Sequence, residues 1–227
     1  MNETPTYYYD YLICEEMFLG DWENLLSIGW DRMGYYFFRK QLEYHEGFDS
    51  NLDYYKYTLQ IMPLRFELKN NFFFSKSQRS IKKRNADLRI VYQKATLDAV
   101  KLDLFNRWHN ARFGYFSRIE QWIHTDNRPF SCMECCLYLE DTLVACSFFD
   151  VTANFTYSTL AFFAPEESKR SLGIYTMMCE IEYAIAKRKT HHYPGHAHHE
   201  KTMYDYKKNF ANAEYFDWSS TIWKNLK

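Results

Sequence analysis

The densest positive charge in the sequence lies in residues 75–90, SKSQRSIKKRNADLRI. Lys76, Arg79 and Lys83 recur at helical spacing with Lys82 and Arg84 beside them, which leaves Ile81 and Leu88 to face a core. Ser75 followed by Gln78 predicts a capping box at the helix start. A cationic stripe on a capped helix suits a phosphate backbone, although the same pattern also describes a solvated face. The second stretch is residues 169–184, KRSLGIYTMMCEIEYA. Here Ser171 is expected to cap a helix, and the free amides of its first turn, with Arg170 beside them, favour an anion. Gly173 has no Cβ and lets a ligand approach the backbone. Asp150 ends a strand-like run, where it serves equally as a turn residue or a polar group at a site.

Two further clusters invite a metal reading. His191, His192, His196, His198 and His199 crowd one segment, but their spacing matches no recognised ligand pattern. Cys132, Cys135 and Cys136 include a CxxC inside a predicted strand, which sends Cys135 to the face opposite the other two. Buried cysteines acting as small hydrophobes are the expectation, and no metal.

Nearly half of the residues are apolar and 20% are aromatic, ample for the core of one domain with a small appendage. The net charge of −1 argues against indiscriminate nucleic-acid binding. It allows a local basic groove, because the segment up to Asp53 is acidic and offsets it. No basic-then-apolar leader opens the chain, and no apolar run reaches the roughly 18 residues of a membrane helix. Six cysteines in a chain this long do not suggest a disulfide framework. The expected setting is a reduced cytoplasm with no membrane partner.

The elements that would position these residues follow from periodicity. Residues 22–28 suggest a short helix, 29–41 a turn and an aromatic strand, and 57–68 an extended run with Pro63 at an edge or bend. After the basic helix, residues 88–94 alternate as a strand. Thr96 is expected to cap a helix whose inner face is Leu97, Val100, Leu104, Phe105 and Trp108. Residues 117–124 suggest a shorter helix. Runs 130–139, 143–151 and 155–163 form an antiparallel meander with tight turns. A helix with Ile174, Met178, Ile181 and Ile185 on one stripe follows, then a strand at 191–193, a helix near 201–209 and a strand near 215–218. This order matches the GCN5-related N-acetyltransferase (GNAT) fold. The expected architecture is α+β, a mixed, mostly antiparallel sheet flanked by helices. The expected division is an N-terminal subdomain at 1–68 and a GNAT-like domain at 69–227.

Residues 75–88 also resemble the SRSQRRxxRRNADL segment of the arginyl/leucyl-tRNA–protein transferase family. Further similarities follow in order: GWDRMGYYFFRKQ to GWRRFGxxFFRP, IMPLR to IPLRI, SFFDV to AVTDV, LAFFAP to YTFFDP, SLGIY to SLGxY, and MYDYKKNF to MxYKxxF. The family's cysteine pair after that arginine-proline is absent; its tyrosine falls on Leu160 and its aspartate on Ala164. The resemblance implies transfer of an amino acid, arginine or leucine in the family, from an aminoacyl-tRNA to the α-amino group of a protein or peptide. The tRNA ester is already activated, so no other cofactor is implied. Lys76, Arg79, Lys82, Lys83, Arg84, Arg170, Ser171 and Gly173 are the implied tRNA contacts. Asp150 is implied to order the attacking amine, with Tyr206 and Lys207 orienting the tRNA end. A coenzyme A-dependent N-acyltransferase and a non-catalytic tRNA- or peptide-binding module remain alternatives. The bulky Tyr175 at the last position of the expected pyrophosphate loop counts against the first of these.

Overall fold

The computed structural model describes residues 7–48, 53–69, 72–123, 129 and 132–226. The chain opens with β1 (Tyr9–Ile13), α1 (Leu19–Ser27), β2 (Asp31–Met33) and β3 (Tyr36–Lys40), whose strands form a small sheet in the order β1-β3-β2. Then come β4 (Leu42–Phe48) and β5 (Tyr54–Glu67), an antiparallel pair. The basic stretch forms α2 (Lys76–Arg84), followed by β6 (Arg89–Lys94) and α3 (Ala99–Phe113). The predicted meander is β7 (Cys132–Leu139), β8 (Thr142–Val151) and β9 (Phe155–Phe163). The chain closes with α4 (Leu172–Ala186), β10 (His191–Tyr193), β11 (His196–His198), β12 (Ala213–Asp217) and β13 (Ile222–Asn225).

The large sheet runs β13-β12-β5-β10-β9-β8-β7-β6, with β4 and β11 also paired to β5. Only the β9–β10 contact is parallel among these pairings. The α+β architecture with a mostly antiparallel sheet is therefore as expected, and so is the element order of the GNAT fold. Helices α3 and α4 pack on the meander through Leu104, Phe105, Met178 and Ile181, all nearly inaccessible to water. Removing such side chains from water is what holds the layers together.

Several local expectations need correction. Asp98, not Thr96, caps α3 by accepting from the Lys101 amide (2.9 Å). Lys101 turns inward instead of Val100, because its ammonium finds Glu134 (2.8 Å) and Thr96 in the core. The helices expected at 117–124 and 201–209 are short 3-10 turns, Ile119–Gln121 and Asp205–Asn209. His124 and Phe130, at the ends of predicted elements, lie outside the described residues. Pro63 stands well inside β5. The ladder to β4 ends at Gln60 and that to β12 begins at Leu64, and between them Pro63 is paired opposite His196 of β11.

Candidate functional site: the opening between β9 and β10

β9 and β10 run side by side only from Phe155 opposite His191 to Tyr157 opposite Tyr193. Pro194 and Gly195 then carry the chain toward β5, where Leu64 N donates to Gly195 O (3.0 Å). β9 continues alone past Ser158, and its register against β8 shifts between Phe148 and Phe149. A cavity of about 550 Å³ opens where the two strands part. This is the size range of small-ligand sites.

Three walls line it. Trp108, His109, Arg112 and Phe113 of α3, with Trp122, make an aromatic side. Ser171, Gly173, Ile174, Thr176 and Met177 place the N-terminus of α4 at a second. Asp31, Arg32, His196, Tyr204, Tyr206 and Lys207 supply the polar third. Ser171 adopts a left-handed conformation (φ 58°) and its hydroxyl caps nothing, contrary to expectation. Ile174 N and Tyr175 N turn back to the Ser171 carbonyl (3.1 Å each), so among the described residues it is the Leu172 and Gly173 amides that remain open to an anion. A Cβ on Gly173 would come within 3.2 Å of the Phe163 ring. Tyr175 is buried in the core and leaves the helix start clear.

Lys207 is the cationic centre of the polar wall. Its ammonium donates to the carbonyls of Pro194 (2.8 Å) and His196 (3.0 Å), which leaves one of its three protons for a ligand. Burial lowers its pKa to about 8, against the opposing pull of Asp31 and Glu180. Tyr206 lies beside it in the wall, its phenol pushed up to about 12 by burial. Asp31 accepts from His196 Nδ1 (2.7 Å), the Arg32 amide (2.8 Å) and the Tyr157 hydroxyl. Burial alone would raise its pKa, yet these donors hold it below the usual carboxylate range.

Asp150 does not reach the cavity. It is fully buried, and Arg32 grips both of its oxygens, Nε to Oδ2 at 2.7 Å and Nη2 to Oδ1 at 2.5 Å, while Trp22 Nε1 adds a third bond at 3.2 Å. The carboxylate expected to receive the amine instead fixes Arg32 in the cavity wall. Leu160, where the family has tyrosine, does line the cavity, whereas Ala164 is buried in the core.

The basic residues lie outside the cavity, on α2, whose C-terminal end contacts the segment leading into it. Lys76, Arg79, Lys82, Lys83 and Arg84 are all exposed on α2. The Ser75–Gln78 capping box is present in full. Lys82 pairs with Glu182 of α4. Arg84 Nη1 donates to the Lys169 carbonyl (2.5 Å), and the buried Asn85 amide donates to that of Arg170 (2.9 Å). Arg170 itself is spent on Asp87 (2.9 and 3.0 Å) and Glu167 (2.7 Å), and it does not line the cavity. It therefore braces the C-terminal end of α2 against the loop that delivers Ser171.

Glu180 went unnoticed in the sequence, one turn along α4 from Thr176. It is wholly buried, and neither oxygen has a hydrogen bond of ordinary geometry among the described residues. Burial raises its pKa to about 7 despite the nearby Ser147 and Ser158 hydroxyls. His192 Nε2 lies 3.7 Å away, and burial lowers that ring's pKa to about 3. The available signal was an acid inside an otherwise apolar helical run.

A family model for the C terminus of arginine-tRNA-protein transferase matches residues 100–217, just over half of the chain. The chain belongs to this family. That places it among the aminoacyltransferases and takes in the motif similarities from SFFDV at 147–151 to MYDYKKNF at 203–210. Aspartate/glutamate leucyltransferase of Campylobacter jejuni is 22% identical over 214 residues, covering 89% of this chain and 82% of the relative. The protein of that name from Xanthomonas oryzae is 31% identical over 80 residues, covering 35% and 32%. Among solved structures, FemX aligns with a TM-score of 0.47 at 10% identity, over 86% of this chain and 65% of that one. No described helix is long and apolar enough to cross a membrane.

Proposed function

We propose that the chain transfers an aminoacyl group from an aminoacyl-tRNA to the α-amino group of a protein or peptide in the cavity between β9 and β10. The supporting observation is continuity. Arg84, at the end of the exposed cationic stripe of α2, donates to the Lys169 carbonyl, its neighbour Asn85 holds the Arg170 carbonyl, and the next residue, Ser171, lines the cavity. On this reading Arg79, Lys82, Lys83 and Arg84 hold the tRNA backbone, and Lys76 extends the stripe. Arg112 stands at the rim over Trp108 and Phe113. A terminal adenine would stack on that aromatic side, and the open amides near Ser171 and Gly173 would take its phosphate. Asp150 and Arg170 become positioning residues, acting through Arg32 and through the loop before α4. No metal or nucleotide is required by the chemistry, because the ester is already activated.

The acceptor nitrogen attacks the ester carbonyl, a C–N bond forms, the bond to the tRNA oxygen breaks, and the amine proton passes to that oxygen. A free α-amine has a pKa of about 7.7–8.0, so a useful neutral fraction exists near pH 7. Positioning then accounts for most of the acceleration. The third Lys207 proton is suited to the developing oxyanion. Activity should rise with pH as the acceptor amine loses its proton and fall above pH about 8 as Lys207 loses its own. Lys207→Arg keeps the charge and should lift the alkaline limb, even with a lower maximum. Transfer of labelled amino acid from a mixed aminoacyl-tRNA pool to a peptide library, followed across pH, tests both points. No transfer from any aminoacyl-tRNA overturns the function; an alkaline limb unmoved by Lys207→Arg removes Lys207 from the chemistry.

A further inference from the structure

The histidine-rich segment and β4 meet across β5. Glu43 and His45 lie two apart on β4, and His196 and His198 lie two apart on β11; that spacing puts each pair on one face of its strand. Glu43 lies opposite Leu59 and His198 opposite Ile61, so the two pairs meet over one patch of β5. Glu43 Oε2 is 2.8 Å from His198 Nε2 and 3.8 Å from His45 Nε2. The candidate donor atoms of Glu43, His196 and His198 all lie within 4.8 Å of one another.

We propose that Glu43, His196 and His198 bind one divalent cation of the zinc class, with His45 as the candidate fourth ligand. The chemistry of the surrounding groups supports this over a simple hydrogen-bonded cluster. Asp31 accepts from His196 Nδ1 (2.7 Å), so the proton sits there and the lone pair is on Nε2. Carboxylate–histidine pairing of this kind orients metal-bound imidazoles. His198 Nε2 faces the Glu43 carboxylate (2.8 Å) and its Nδ1 lies 3.4 Å from the Thr202 hydroxyl, so a metal would take Nε2 with release of the proton now shared with Glu43. His45 Nε2 is shielded from water and has no hydrogen-bond partner among the described residues, an orphan that a cation would satisfy. Lys40 Nζ stands 3.9 Å from Glu43 Oε1, the oxygen the metal does not need.

Zinc takes nitrogen and oxygen at about 2.0–2.2 Å in a tetrahedron, so its ligand atoms sit roughly 3.3 Å apart. The present 2.8 Å and 3.8 Å separations lie on either side of that value, and small side-chain rotations reach it. A second group of potential ligands, Glu134, Cys136 and Cys146, is unlike this one. There the carboxylate is already neutralised by Lys101 (2.8 Å) and bonded to Gln93 (2.6 Å) and the Thr96 amide (3.0 Å). The proposed cation would lock β11 to β4. It would thereby hold the His196 carbonyl that accepts from Lys207, whatever substrate the cavity takes.

The test uses the whole chain, freed of metal with chelator and titrated with zinc chloride alone, then with cobalt(II). Expected are one zinc per chain by calorimetry, the strong visible absorption of four-coordinate cobalt, and a melting temperature that climbs with free zinc by mass action. Glu43→Gln and His198→Asn should each weaken zinc binding by at least about tenfold. His199→Asn, an exposed histidine in the same run, should leave it unchanged. Absence of saturable binding with no zinc dependence of wild-type melting overturns the proposal. So does binding that survives in Glu43→Gln and His198→Asn. The wild-type melting arm decides the matter even if a variant fails to fold.

Discussion

The cavity and the basic helix use charge in opposite ways. In the cavity wall Arg32 and Lys207 are each held by named partners, Arg32 by Asp150 and Gly34 and Lys207 by two carbonyls. On α2 the cations are exposed, and their pairings, such as Lys82 with Glu182, lie at the surface. Buried ions act at fixed positions and are costly to disturb; exposed ones contribute affinity through screened, additive contacts. The two regions should therefore fail in different measurements.

The sharpest break is Arg32→Ala. It leaves the Asp150 carboxylate buried without the guanidinium that grips both its oxygens, and the loss of stability should be roughly 3–5 kcal/mol by denaturant unfolding. A loss under about 1 kcal/mol would mean that Asp150 is reached by water. The comparison inside the cavity region is with Glu180, a buried acid on which Lys207 pulls without outweighing burial. Its pKa in the fold, about 7, lies above the usual 4.5. The native state then holds a proton that the unfolded chain gives up. The stabilising effect is complete below pH 4.5 and is lost as pH rises toward 7. At about 1.4 kcal/mol per pKa unit, the swing is roughly 3 kcal/mol. His192, depressed to about 3, drives stability the other way over an overlapping range. The clean reading is therefore the difference between Glu180→Gln and wild type, with the variant gaining on wild type from pH 4.5 to 7. A difference that is flat with pH would sink this account.

The smallest stability effect belongs to α2. Arg79→Glu with Lys83→Glu should change unfolding by no more than about 0.5 kcal/mol for each exposed site. The same pair should weaken tRNA binding and flatten the slope of log affinity against log salt by about 0.7–0.9 for each lost phosphate contact. Unchanged slope and affinity would leave the helix merely solvated.

What could be read beforehand divides along the range of the interactions. The α2 capping box and the meander depend on neighbours within a few residues, and each formed as expected; the α4 stripe did not, because Ile185 is exposed while Tyr175, Met177 and Glu180 on other faces are buried. The burial of Asp150 could not be read beforehand because its partner, Arg32, lies in a different sheet and 118 positions earlier. No local pattern announces such a pair. Ser171 has the right residue type for a cap, but its left-handed backbone turns the hydroxyl to no partner. The His196-x-His198 spacing was visible, and its meaning depended on Glu43 arriving through β5. The Leu160 and Ala164 departures could be seen, yet only the fold shows that one borders the cavity and the other does not.

The place of β5 in the large sheet bears on how the chain is made. Glu67 pairs with His191 and Leu64 with Tyr215, so the strand is synthesised long before these neighbours exist. At about 5–20 residues per second, the wait is on the order of ten seconds on a ribosome. During that time one edge of β5 has only β4 for cover, and its apolar run Ile61-Met62-Pro63-Leu64 is open to wrong partners. Nascent chains of this protein should accordingly engage holdase chaperones through this strand until the last quarter of the sequence emerges.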